Sequence, residues 1–219
     1  MIRPPKETTI AAVTPVRADE WLLTPENAVI AFIDYQPDQY AGVGSIGVDE
    51  LLVNVITLGQ ITTAYGLPVV LSTVGMKLRG MAGTKQELHA ALNNAPEIDR
   101  ATLNSWEDPD FRAAIEATDR KKLIVAGLWT EICVAFPVLD ALHDAYDVYV
   151  VEDAIGGVSA TAHHAAMRRM EQAGARPITV IGLAGELQRD WGRDGTDRLR
   201  AVLGSYFGGH RGLKSGGRP

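Results

Sequence analysis

Runs dominated by apolar residues recur along the chain at 29–33, 68–73, 122–127 and 148–153, and a fifth, at 177–181, is nearly as clear. A shorter and weaker one lies near Ile98. Unbroken rather than alternating apolarity marks strands buried on both faces, as in a parallel sheet. Between these runs the pattern predicts helices at 48–65, 109–117, 131–146, 159–173 and 185–203. Gly66 and Gly174 stand where left-handed C-terminal stops belong, Asp108 where an N-cap belongs, and Pro109 and Pro137 near first turns, where a missing N–H costs least. Strands alternating with helices predict an α/β fold, a three-layer α/β/α arrangement with a mainly parallel sheet of about six strands.

The flanks look different. Prolines at 4, 5, 15 and 25 and no sustained period predict an extended arm over 1–25. One domain then spans 26–207, and 208–219 is too poor in apolar residues to pack and reads as a flexible tail. The last helical stretch carries Leu187, Trp191, Leu199, Val202 and Leu203, followed by Tyr206 and Phe207. A single helix layer would leave part of that surface uncovered, which predicts a homo-oligomer with its contact there.

Composition narrows the function. A formal net charge of -6 excludes a general nucleic-acid binder, which needs a basic face. No apolar run approaches the roughly 20 residues of a membrane span, so no membrane partner is expected. The first residues lack the apolar core of a signal peptide. The one cysteine rules out an intrachain disulfide and suits a reducing compartment, so the expected location is cytoplasmic. The five histidines, at 89, 143, 163, 164 and 210, lack ligand-like spacing; no metal and no cofactor are expected.

In an open parallel sheet, ligands gather outside the carboxyl ends of the strands. Asp34 ends the first run, and the stretch from Gly127 to Cys133 leaves a later one. If these strands are neighbours, Asp34 and Cys133 face one cleft. Helix N-terminal N–H groups would then lower the thiol pKa below the free value of about 8.5 and stabilise an oxyanion. The residues alone leave another reading open: a cysteine is often a small buried hydrophobe and an aspartate often a cap.

Phe32-Ile33-Asp34-Tyr35-Gln36 and Val125-Ala126-Gly127-Leu128-Trp129-Thr130-Glu131-Ile132-Cys133-Val134 closely resemble the isochorismatase-like cysteine hydrolase superfamily. Ala135-Phe136-Pro137, Asp108-Pro109-Asp110-Phe111 and the segment Gly185 to Trp191 look like its YcaC-type subgroup. The resemblance implies a hydrolase of small amides, esters or related substrates. It makes Cys133 the nucleophile, Asp34 the proton acceptor and Arg100 the third member, where the family usually has lysine. Arginine supplies charge but does not shuttle protons; Lys77 is the alternative cation. The resemblance also implies a cis peptide at Leu128–Trp129, an oxyanion hole of the Trp129 and Cys133 backbone N–H groups, and a ring-type assembly such as an octamer. Gln36, Trp106, Trp129 and Phe136 are the expected substrate-binding residues. Two other readings follow from the family: a catalytically degenerate scaffold or small-molecule binder, and vinyl-ether hydrolysis of the isochorismate type.

Overall fold

The computed structural model describes residues 21–216. Six strands, β1 (Ala28–Ile33), β2 (Val69–Val74), β3 (Glu97–Arg100), β4 (Lys122–Gly127), β5 (Asp147–Val151) and β6 (Arg176–Ile178), form one sheet ordered β3-β2-β1-β4-β5-β6. Every pairing is parallel. Helices flank the sheet, so the α/β expectation holds. Every residue of β1 and β4 is buried, which is why both read as unbroken apolar runs. The order reverses between β1 and β4, paired from Ala28↔Lys122 to Ile33↔Gly127. The carboxyl ends of these strands are therefore the switch point of the fold.

The helices are α1 (Pro37–Ala41), α2 (Val48–Tyr65), α3 (Met76–Arg79), α4 (Gln86–Ala91), α5 (Pro109–Glu116), α6 (Ala135–His143), α7 (Ala160–Ala173), α8 (Val180–Gln188) and α9 (Thr196–Gly216). Several ends follow the residues that predicted them. Gly66 and Gly174 close α2 and α7 in the left-handed conformation. The Asp108 side chain accepts the N–H groups of Asp110 and Phe111 at the start of α5.

Three expectations need correction. The apolar run 177–181 is split, because the Thr179 side chain caps α8 by accepting the Gly182 N–H; the strand ends at Ile178. The helix expected over 185–203 is two helices, broken where Arg189 turns to φ 58°. The tail expected to be flexible from 208 is helical through Gly216. It is anchored on α2: His210 Nε2 lies 2.8 Å from Asn54 Oδ1, and Gly209 packs so close to Val53 that a Cβ there would stand 2.9 Å from its Cγ1.

Of the expected N-terminal arm, residues 1–20 lie outside the described residues. The described part runs over the domain: Leu23 is buried and its N–H donates to Glu186 at 2.8 Å, and the Tyr149 hydroxyl donates to the Trp21 carbonyl. In the apolar stripe after 185, Leu187, Leu199 and Val202 are buried within their own chain, whereas Trp191 and Phe207 stay exposed. Among the described residues no helix is long and apolar enough to cross a membrane.

Candidate active site

Each member of the expected triad leaves the carboxyl end of a different strand. Asp34 follows β1 with φ 59°, a conformation that suits aspartate better than most side chains. It is held there as its N–H donates to the Ser72 carbonyl and its carbonyl accepts the Gln36 N–H. Arg100 ends β3, opposite Val74 of β2. Side chains alternate along a strand, and β3 uses both faces. Asp99 takes the N–H groups of Met76 and Lys77, each at 2.9 Å, and Glu97 takes that of Thr84, which fixes the loop after β2. Arg100 instead reaches across β2 to Asp34, two strands away.

The Arg100 Nη2 to Asp34 Oδ2 distance is 2.6 Å, and neither side chain is exposed. Arg100 Nη1 donates to the Thr102 carbonyl. Asp34 Oδ1 is buried without a well-formed hydrogen bond. The Cys133 thiol is coupled electrostatically to both Asp34 and Arg100. Cys133 sits in a wide π-type turn, Thr130–Val134, that leads into α6. The close approach of β1 and β4 requires Gly127, since a Cβ there would lie 2.7 Å from the Ile33 carbonyl oxygen. Leu128–Trp129 is a cis peptide.

Electrostatics correct one expectation. Burial raises the Asp34 carboxyl to about 6 against the lowering pull of Arg100. The Cys133 thiol is pushed up to about 12, first by burial and then by the Asp34 carboxylate, with Arg100 opposing. The expected depressed thiol pKa is therefore overturned. Cys133 lies at the start of a helical run that continues into α6, and loss of water outweighs the favourable field there. At neutral pH the pair rests as carboxylate and thiol, with the proton on sulfur.

The thiol opens into a cleft of about 310 Å³. Trp129, Ile132, Val74, Leu78, Met81 and Leu103 give it apolar walls, and Asp38 and Arg79 also line it. Of the expected substrate-binding residues, Trp129 lines this cleft, with its ring N–H donating to the Gln39 carbonyl. The other three do not. Gln36 is a fully buried strut, with its amide bonded to Val74 N–H, Val74 carbonyl and Ala82 carbonyl. Trp106 is buried elsewhere, edge-on to Tyr146 and donating to Asp144. Phe136 packs on the core. Lys77 is exposed and lies outside the cleft lining. Leu78, Arg79, Met81 and Leu103 were missed. Leu78 and Arg79 lie in the one-turn helix α3 after β2, and Met81 and Leu103 in the loops after β2 and β3; that position at carboxyl ends of strands was their one signal. Among the described residues no group of three or more His, Cys, Asp or Glu side chains stands where it could hold a metal ion.

A family model, the Isochorismatase domain, matches residues 28–181, from the first residue of β1 into α8. The chain belongs to the isochorismatase family. Within it, the chain is 35% identical to the Probable hydrolase YcaC of Escherichia coli over 87% of its own length and 91% of that protein's. The crystal structure of the E. coli protein, described as an octameric hydrolase of unknown specificity, superposes with a TM-score of 0.82 over 93% of this chain and 98% of that one. YcaC from Pseudomonas aeruginosa, solved with hexane-2,5-diol and covalent acrylamide, is 34% identical and also has a TM-score of 0.82, over 90% of this chain and 98% of its own.

Proposed function

We propose that this isochorismatase-family chain is a cysteine hydrolase of a small amide, ester or related substrate. The observation that carries the reading is Cys133 on the floor of an apolar cleft, against the buried Asp34–Arg100 pair. A buried carboxylate beside a neutral thiol is poised for proton transfer at the moment of attack. Sulfur attacks the carbonyl carbon as its proton passes to Asp34. The oxyanion is taken by the Trp129 and Cys133 backbone N–H groups. Collapse expels the amine or alcohol, which takes the proton from Asp34, and leaves a thioester. Water then attacks with Asp34 as base, releasing the acid and restoring the thiol. Arg100 holds Asp34 ionised and moves no proton.

The covalent acrylamide of the P. aeruginosa relative supports this reading, because acrylamide is an electrophile that thiols add to. The octameric E. coli relative supports a homo-oligomer here, with exposed Trp191 and Phe207 as contact residues. Light scattering tests that part, with a mass of 23.6 kDa refuting it.

The test of the chemistry is a screen of small amides, esters and nitriles, with Cys133→Ala as control and acrylamide as covalent probe. Turnover lost in Cys133→Ala, together with acrylamide addition faster than to free cysteine at pH 7.5, is expected. Addition no faster than to free cysteine, and unchanged in Asp34→Asn, refutes the nucleophile and favours a binding scaffold.

A further inference from the structure

The turn that carries Cys133 is fastened by residues outside the cleft lining. Thr130, its first residue, is fully buried, and its Oγ1 lies 2.9 Å from Nδ1 of His163. His163 is itself buried and is the fourth residue of α7. Its own N–H donates to the Ser159 carbonyl, and the Ser159 side chain caps the helix through the Ala162 N–H, so the ring springs from a fixed backbone. Two further contacts bind the turn to the loop 156–158: Thr130 N–H donates to the Gly156 carbonyl at 3.0 Å, and Glu131 Oε1 accepts the Val158 N–H at 3.0 Å. The loop is threaded so tightly that a Cβ on Gly157 would stand 2.7 Å from Glu131 Oε2 and 3.1 Å from His163 Cβ.

Of these three ties, the Thr130–His163 bond is the one made by side chains at both ends. A hydroxyl and an imidazole buried apart would each cost free energy. Buried together they fit in one relative position, whereas an apolar pair of the same volume can slide. Glu131, Glu152 and His164 are the charged or titratable groups around the ring, and burial pushes its pKa below the usual histidine value. A neutral imidazole carries one donor and one acceptor, so either tautomer completes the bond with a hydroxyl.

We propose that His163 is a positioning residue for the nucleophile: through the Thr130 hydroxyl it sets the turn Thr130–Val134 so that the Cys133 sulfur faces Asp34 while the Trp129 and Cys133 N–H groups converge on the oxyanion. The inference rests on the reading of Cys133 as nucleophile, and its test separates the two. The probe is acrylamide, whose β carbon bonds to the Cys133 sulfur while the thiol proton ends on the α carbon; the second-order rate is followed by intact mass. The variants are His163→Leu, His163→Asn, His163→Gln, Thr130→Val and the double variant His163→Leu with Thr130→Val. Asparagine places an amide atom near the position of Nδ1, whereas glutamine places it near Nε2.

Small errors in reactant placement cost up to roughly a hundredfold. His163→Leu and Thr130→Val are therefore each expected to slow addition by roughly tenfold or more. The double variant should be no slower than the worse single one, His163→Asn should restore most of the rate, and His163→Gln should not. Thermal midpoints are measured beside the rates, since a residue that only filled space would lower the midpoint without this Asn-against-Gln pattern. Wild-type rates in both His163→Leu and Thr130→Val overturn the positioning role and leave the nucleophile standing. If His163→Leu does not fold, the Thr130→Val and His163→Asn rates still decide. Wild-type protein that reacts no faster than free cysteine, at a rate unchanged in Asp34→Asn, overturns the nucleophile itself and the positioning role with it.

Discussion

At the carboxyl ends of the strands Arg100 and Asp34 meet at 2.6 Å with neither side chain in water. At the amino ends of the same sheet Asp147 holds Lys122 at 3.6 Å and Arg176 at 3.2 Å, with nearly half of the Asp147 side chain exposed. The residue types are alike and the surroundings differ. Lys122 is buried, but water reaches Asp147 and Arg176 and screens their pair, and such exposed pairs contribute about 0–1 kcal/mol. The first group has lost its water, so each charge depends on the other, and the thiol beside them depends on both. Charge at the amino ends is shared with water through Asp147 and Arg176; at the carboxyl ends it is positioned against one sulfur atom.

The contrast can be broken by experiment. The largest effect is expected from Asp34→Asn, which removes the proton acceptor and should lower turnover by roughly 10²- to 10⁴-fold. Steady-state rates on the best substrate of the screen check it, and a loss under tenfold would remove Asp34 from the mechanism. Next comes Arg100→Ala. It leaves a buried carboxylate alone and should cost about 3–5 kcal/mol at pH 7.5 by urea denaturation. The cost should shrink at pH 5, where Asp34, with a pKa of about 6, takes up a proton. Arg100→Lys keeps the charge and should lose far less, which would fit the purely electrostatic role given to Arg100.

A smaller effect concerns pH in the unaltered protein. Because burial raises Asp34 from 3.8 to about 6, the folded state binds its proton more tightly than the unfolded chain does. The stability this gives is full below pH 3.8 and is lost as pH rises through about 6. Its size is roughly 3 kcal/mol. Unfolding free energies of wild type and Asp34→Asn between pH 4 and 7 should diverge accordingly, the wild type losing ground. Acrylamide addition should fall on acidification through about pH 6, as the base is lost. A midpoint near 8.5 or above would instead report an ordinary thiol. The smallest effect is expected at the amino ends: Asp147→Asn should cost under about 1 kcal/mol and leave addition unchanged. A larger loss would mean that this exposed group is coupled to the core.

The same contrast explains what could be read from the residues alone. Burial on both faces writes itself into sequence as unbroken apolarity, so β1, β2, β4 and β5 were legible, and with them the switch point where Asp34 and Cys133 meet. The 177–181 run was nearly as clear, but nothing in it distinguishes strand from helix except the capping hydroxyl of Thr179. Side-chain direction was not legible. Gln36, Trp106 and Phe136 were expected in the cleft, yet Gln36 and Trp106 are buried away from it and Phe136 packs, partly buried, against the core. The true walls at Leu78, Met81 and Leu103 lie in a one-turn helix and two loops, too short to show a period. Leu78 and Leu103 remain 69% and 60% exposed, so their apolarity looked like surface noise. The thiol pKa was misjudged for a related reason: a sequence shows a helix start but not how much water its cysteine has lost.

The chain has one cysteine, and it lies at the bottom of the cleft. If peroxide converts Cys133 to a sulfenic acid, no second sulfur in the chain can condense with it. Recovery then falls to a small thiol from solution, which must come down the same apolar channel as the substrate. A resident ligand would therefore shield the sulfur from oxidant and reductant alike, and the cleft that selects substrates would also set how readily an oxidised molecule is repaired.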